Sequence, residues 1–354
     1  MQKTILLLLV LLFPFVLSSQ TLEGVVYDME TRNPLSEVHV YLDGTSVYAT
    51  TDVDGKFKLY MENPIDADMV FSHVSYDMYI IKDPFNSKVD KVYLSKKNNV
   101  LEEVTVMLDP FTYEEKLEAF REQFLGDTKA GHSCKIQNEK DLKFYYDLNE
   151  KIFYISSDYP LVIENEYLGY KILYMLVDFQ IKYKEISLNK GKINEIFMLG
   201  SSSFVDEMPN VSKIKKRRDD IYKKSSQYFF KLFTTKGIQG SNFAVYTNGD
   251  TINPNHYFSI EDTLTYKRVS IKPDTDIQTF LQIGRKRACG FVSVLYRNGL
   301  QSDITFFTDS FLVNDYGMIL EYDKVFFAGY MGDQRVGNML PLEYSLKKKK
   351  KKVQ

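Results

Sequence analysis

The sequence predicts a mainly β protein: an antiparallel β-sandwich, a short linker helix, and a second, mostly β (α+β) domain with one long amphipathic helix. Three observations predict it. Between residues 20 and 107, short alternating runs are separated by Gly, Pro, Asn and Asp. Residues 112–125 and 214–233 carry apolar side chains at helical spacing. The rest of the chain after residue 131 returns to strand-like runs. The 354 residues amount to about two domains, and 26 Tyr and 25 Phe, with no Trp, favour strands. The expected divisions are a signal peptide over 1–19, the sandwich over 20–107, the linker helix over 108–130, the second domain over 131–346 and a lysine-rich tail over 347–354.

The N-terminus reads as an export signal. Lys3 supplies a positive start, residues 5–17 are 13 apolar residues in a row, and Ser18 and Ser19 are small residues before Gln20. A spanning helix needs ~20 apolar residues, so the run is short for a permanent anchor. The alternatives are an uncleaved anchor or a buried strand. No Cys follows the run, so a lipoprotein anchor is not indicated. The expected location is the periplasm or the periplasmic face of the outer membrane.

Formal net charge is −2. Without Lys3 and the six lysines at 347–352, 38 Lys and Arg face 47 Asp and Glu. An acidic body argues against a nucleic-acid binder, which needs a broad basic face.

The sandwich strands are expected around Leu22–Tyr27, 38–42, 47–51, 57–60, 69–71, 78–81 and 92–94. Asp54-Gly55 suits a tight turn that needs positive φ. Asp52 and Asp54 suggest a calcium loop, but loop position 12 falls on Asn63 where the EF-hand pattern needs Glu. Turn chemistry is the reading adopted.

Six motifs then agree in order with one family: Gly24-Val25-Val26-Tyr27-Asp28, Asn33-Pro34-Leu35, Val38-His39-Val40, Gly44-Thr45, Thr51-Asp52-Val53-Asp54-Gly55-Lys56-Phe57 and Phe71-Ser72-His73-Val74-Ser75-Tyr76. This quarter of the chain resembles the carboxypeptidase-regulatory-like domain. That resemblance implies a transthyretin-like sandwich, also found as the N-terminal extension of SusC-type TonB-dependent receptors. Leu101-Glu102-Glu103-Val104-Thr105-Val106 resembles the segment leaving the domain in those receptors. The family name refers to a companion of peptidases, not to the peptidase. The residues three after His39, His73, His132 and His256 are Leu42, Tyr76, Lys135 and Ser259, so no HxxE zinc motif exists, and HExxH is missing too.

After Asp109-Pro110, Thr112 is placed to cap a helix, with Glu114 and Glu115 in its first turn and Leu117, Phe120, Phe124 and Leu125 on one face. Strands are expected at 142–146 and 152–156 as a hairpin, then at 161–163, 171–179, 181–186 and 192–199. Ile214, Arg218, Ile221, Tyr222, Ser225, Tyr228, Phe229, Leu232 and Phe233 mark the long helix. More strands follow Gly237. Phe120–Gly126, Leu168–Ile172, Ser226–Leu232 and Leu340–Tyr344 resemble exported proteins that carry the same domain and have no established activity. About 230 residues are too few for a 22-stranded transporter barrel.

Candidate chemistry is sparse. His132-Ser133-Cys134 offers a thiol and an imidazole, but an activated Cys needs contact with its base, and no supporting motif accompanies the pair. Gly200-Ser201-Ser202-Ser203 misses GxSxG at Phe204 and reads as a polar turn before the helix. No GxGxxG or Walker A occurs. Catalytic, metal and cofactor sites are therefore expected to be none. In an oxidising compartment Cys134 and Cys289 form either a disulfide or two buried thiols. Lys213, Lys215, Lys216, Arg217 and Arg218 form a candidate anion-binding patch, or a solvated helix face. The lysine tail could touch an anionic membrane surface peripherally, or be a solvated end. The function expected is a non-enzymatic cell-envelope binding or assembly module with an envelope protein or glycan partner. The alternatives are an envelope hydrolase or glycan-processing enzyme, and an accessory protein for TonB-dependent nutrient uptake.

Overall fold

The structure, a computed structural model, describes residues 20–97, 109–263, 265–273, 275, 277, 282–283, 286–297 and 299–346. The expected signal, the 101–106 segment and the lysine tail lie outside the described residues. The chain divides into two compact units, residues 1–102 and 103–354.

The first unit is a sandwich of seven strands: β1 (Gln20–Asp28), β2 (His39–Leu42), β3 (Tyr48–Thr50), β4 (Lys56–Met61), β5 (Met69–His73), β6 (Tyr76–Ile81) and β7 (Lys91–Leu94). One sheet has the order β4-β1-β7 and the other β3-β2-β5-β6. Among the described residues of this unit, only β1 and β7 run parallel. The alternation in β4 shows why the sequence folds this way. Phe57, Leu59 and Met61 are buried while Lys56, Lys58 and Tyr60 face water. Phe57 meets Phe71 of the opposite sheet edge to face at 5.5 Å, and Val26, Val40 and Leu42 are fully enclosed.

The turn before β4 has the expected chemistry. Asp52 Oδ1 accepts from the Asp54 and Lys56 amides at 3.0 and 2.8 Å. Gly55 has φ +72°, and a Cβ there would sit 2.6 Å from the Val26 carbonyl. A second pin is Asp28, buried, whose carboxylate accepts from the amides of Thr31 and Glu30 and from the Tyr76 hydroxyl at 2.7 Å. Those bonds, the Thr31 amide foremost, hold its pKa well below the usual carboxylate range.

The second unit opens with α1 (Tyr113–Leu125). Thr112 caps it: its Oγ1 accepts from the Glu115 amide at 3.2 Å, and Glu115 Oε2 accepts from the Thr112 amide at 2.8 Å. The sequence reading made this a linker helix docked on the second domain. Its Phe120 and Phe124 are fully buried in that unit's core, because an apolar stripe this bulky is stable only against a sheet.

That sheet has six strands: β8 (Cys134–Ile136), β9 (Leu142–Asp147), β10 (Ile152–Ser157), β11 (Leu161–Asn165), β12 (Tyr170–Tyr183) and β13 (Ile193–Asp206). The order is β8-β11-β12-β10-β9, with β13 along the other side of β12. Two expectations are corrected here. The strands expected at 171–179 and 181–186 are one strand, bulged between Leu176 and Asp178. The Gly200–Ser203 turn is no turn. It lies inside β13, where Ser201, Ser202 and Ser203 are buried. Gly200 is needed because a Cβ there would lie 2.3 Å from the Tyr174 ring.

The long helix is two, α2 (Ser212–Tyr222) and α3 (Ser226–Thr235). Ser225 causes the break. Its hydroxyl donates to the Tyr222 carbonyl at 2.8 Å and accepts from the Tyr228 amide at 3.1 Å, finishing one helix and capping the next. Phe229, Phe230 and Phe233 of α3 enter a separate core. Its strands are β14 (Phe243–Thr247), β15 (Asp250–Ile252), β16 (Phe258–Asp262), β17 (Lys267–Ile271), β18 (Gln282–Ile283), β19 (Lys286–Arg287), β20 (Gly290–Tyr296), β21 (Leu300–Phe306), β22 (Ser310–Val313) and β23 (Val325–Ala328). They form a five-stranded sheet, β15-β14-β20-β21-β23, a three-stranded one, β16-β17-β22, and the pair β18-β19. The region expected as one domain over 131–346 thus holds two cores.

The C-terminal segment ties them together. Val336 is fully buried in the first core, Asn165 Nδ2 donates to the Gly337 carbonyl at 2.9 Å, and Gln227 of α3 donates to the Leu342 carbonyl at 3.1 Å.

Candidate binding face

The expected basic patch is largely taken up by the fold. Arg218 is 4% exposed. Its guanidinium donates to both oxygens of Asp206 at 2.7 Å and to the carbonyls of Leu168 and Gly169, and it lies 3.8 Å over the Tyr170 ring. Arg217 donates to the Tyr167 carbonyl and stacks on that ring at 4.2 Å. Lys215 pairs with Asp219 at 3.0 Å. The sequence ran these five together, but a helix turns by 100° per residue and splits them between two faces. Lys213 and Lys216 are left exposed.

For the cysteines the sequence left a disulfide or two buried thiols open. Both cysteines are free. Cys134 packs against the first core and Cys289 against the second, so each thiol is held by its own set of apolar neighbours. Burial pushes the Cys134 thiol up to about 12. His132 turns away to Asp127 at 2.9 Å, and Ser133 donates to the Ala130 carbonyl. A thiol protonated at neutral pH and without a base beside it is not an activated nucleophile.

The arrangement best suited to a ligand lies on the outer face of the six-stranded sheet. One face of that sheet carries Phe144, Phe153 and Phe179 toward α1, with Phe120 5.7 Å from Phe179. Side chains one residue along point the opposite way. The register aligns four of them in one row across four strands: Tyr145 opposite Tyr154, Tyr154 opposite Gln180, Gln180 opposite Phe197. At ~4.8 Å between strands the row is about 14 Å long.

Tyr145 is 48% exposed, and the other three are half-buried. The Tyr145 and Tyr154 rings stack at 5.9 Å with 26° between their planes. Gln180 Nε2 donates to both oxygens of Asp178, at 2.9 and 2.8 Å, which fixes the amide in the row. The neighbouring row is Asp147, Ile152, Lys182 and Glu195. Two carboxylates against one ammonium therefore flank the rings on this side, a surround that disfavours an anionic ligand. Burial, then Asp147, Glu150 and Asp178, raise the Tyr154 pKa, so its hydroxyl stays a donor.

Sequence reasoning noticed the Tyr abundance but not this row. Each member is an ordinary outward strand residue, and only pairing between distant strands assembles them.

No curated protein matches the chain. Among solved structures, a 9R-lipoxygenase from Cyanothece PCC8801 is similar at 10% identity over 60% of this chain and 48% of its own, with a TM-score of 0.16. A likeness that distant carries no argument about fold or activity. The sandwich is another matter: residues 22–106 match the model of the CarboxypepD_reg-like domain, and the first unit is a domain of that kind.

Proposed function

We propose that this chain is an exported, non-enzymatic binding or assembly module of the cell envelope, and that its second unit holds a neutral glycan strand on the outer face of the six-stranded sheet. The observation that carries the reading is the in-register row Tyr145, Tyr154, Gln180 and Phe197. Flat rings offer an apolar platform with a polar rim, which suits the apolar faces and hydroxyl edges of sugars. Gln180, fixed by Asp178, supplies a carbonyl acceptor between the rings. The flanking carboxylates favour uncharged sugars over acidic ones. The export reading of residues 1–19 puts the molecule where such polymers are.

The test is retention on envelope polysaccharide. Wild-type protein is expected to bind an uncharged glycan fraction, and a Tyr154→Ser, Phe197→Ser double variant to lose about tenfold in affinity. Equal retention of the double variant would defeat the row as the site. Release of new reducing ends by purified protein would defeat the non-enzymatic reading.

A further inference from the structure

The five-stranded sheet carries a site of its own, independent of the aromatic row. Val245, Val294 and Ile304 point into the second core, so the residues one step along each strand point outward. The register sets Tyr246 of β14 opposite Ser293 of β20, and Ser293 opposite Asp303 of β21. Leu295 and Gln301 face each other in the next row. Tyr246, Ser293, Leu295 and Gln301, with the turn at Asn248 and Gly249, line an open pocket of about 260 Å³. Pockets for drug-sized molecules hold roughly 300–1,000 Å³, so this one suits a group the size of one side chain.

Asp303 sets the polarity of the pocket. Its Oδ1 accepts from the Ser293 hydroxyl at 2.7 Å and from Gln301 Nε2 at 3.3 Å. Those two bonds spend the Ser293 proton and turn the Gln301 amino group toward the carboxylate. Ser293 Oγ, Gln301 Oε1 and Asp303 Oδ2 are left as acceptors. No cation pairs with Asp303 among the described residues, and its neighbour on β23, Ala328, is too short to cover it. Asp303 is half-buried, and it is the only charged side chain in β14, β20, β21 and β23. A carboxylate so placed is stabilised by a cation that comes to it.

We propose that this pocket binds a primary ammonium group carried on an alkyl stem, the chemistry shared by a lysine side chain and a free amine. An ammonium has three donors on one nitrogen, one for each of the three acceptors. The stem lies against Leu295, and the face of the Tyr246 ring attracts the charge. A guanidinium is the poorer match. Its fork takes both oxygens of a carboxylate, and Asp303 Oδ1 is already filled by Ser293 and Gln301.

The experiment is a titration of the purified full chain with Nα-acetyl-lysine methylamide, followed by saturation-transfer NMR. The arginine and norleucine counterparts and n-butylamine are the comparison probes. The lysine probe is expected to bind at least about tenfold more tightly than the norleucine probe, which keeps the stem and lacks the charge, and more tightly than the arginine probe. Asp303→Asn keeps the shape and the acceptor for Ser293, and should lower lysine-probe affinity about tenfold. Gln301→Leu, at an exposed position, should lower it about threefold, and Tyr246→Leu about two- to fivefold. Asp250→Asn, at an exposed acid in the neighbouring turn, should leave it unchanged. Circular dichroism checks the fold, and the exposed Gln301 change serves where Asp303→Asn fails that check.

A lysine probe that binds more tightly than n-butylamine assigns the site to a protein side chain, and equal binding assigns it to a free amine; both keep the ammonium. The proposal is overturned by a lysine probe that does not saturate, or that binds no better than the norleucine or arginine probe. Equal losses at Asp250 and Asp303 also overturn it, since the attraction would then belong to an acidic surface at large. So does loss of lysine-probe binding in the Tyr154→Ser, Phe197→Ser double variant, which would place the cation on the aromatic row.

Discussion

The two faces of the six-stranded sheet are built from the same strands and similar residue types, yet they do opposite work. The inner face takes Phe153, Phe179 and Ile181 against Phe120 and Phe124 of α1 and leaves them almost nothing exposed. The outer face takes Tyr145, Tyr154 and Phe197 and leaves them half open. Residues 170 and 206 close the end of the inner side, with Arg218 forked across them. Aromatic content alone therefore separates nothing here. What separates core from contact surface is which parity of the strand a ring occupies, since each step along the chain reverses the face.

The sharpest way to break this comparison is through Arg218. Its charge is buried, and it satisfies two backbone carbonyls as well as Asp206. Arg218→Met should cost about 3–4 kcal/mol, the scale seen when one member of a buried pair is removed. Lys216→Met, two residues away on the outward face, should stay within ~0.5 kcal/mol. Urea midpoints followed by tyrosine fluorescence measure both. Similar losses at the two positions would mean that the five cations do act as one patch.

The sheet itself gives the next test. Phe124→Ala removes a ring enclosed by Phe120, Tyr174 and Phe179 and should cost about 3–5 kcal/mol. Tyr154→Ala removes a half-open ring whose stack on Tyr145 is worth about 1 kcal/mol. The same variant should weaken glycan retention, which Phe124→Ala has no reason to do while the protein stays folded. A costly Tyr154→Ala would reassign the outer row to the core.

Much of the fold was legible because it is local. The hairpin of β9 and β10, the Thr112 cap with Glu115 three residues on, and the Asp52–Gly55 turn each lie within a few residues of chain. The break at Ser225 was missed because the apolar spacing runs on through it: Phe229 and Phe233 keep step with Ile221 and Tyr222. Only the hydroxyl's two bonds reveal the interruption. Gly200–Ser203 was misread because small polar residues usually turn, while here they let Tyr174 lie flat across the strand. The candidate site was hardly legible at all. Tyr145 and Phe197 are 52 positions apart, and the Tyr344–Asp219 contact spans 125. Pairings at that range depend on register, which no window of sequence contains.

The closure of the inner face is also read at the edge of the sheet, at Cys134 on β8. It is half-buried against the core, and burial alone lifts its pKa to about 12. At pH 8 only about one molecule in 10⁴ carries the thiolate, against roughly a quarter for an ordinary cysteine. Alkylation at Cys134 should therefore be about a thousandfold slower than at an exposed thiol, rising tenfold per pH unit. Cys289, half-exposed and raised by burial and then by Asp309, should react first. Peptide mass mapping of alkylated native protein, prepared without reductant, distinguishes the two. It should also recover both thiols intact, since neither is bonded. Substitution at either cysteine should leave glycan binding unchanged. Rapid labelling of Cys134 would mean that β8 opens from the sheet, and the inner face would then be less closed than its burial implies.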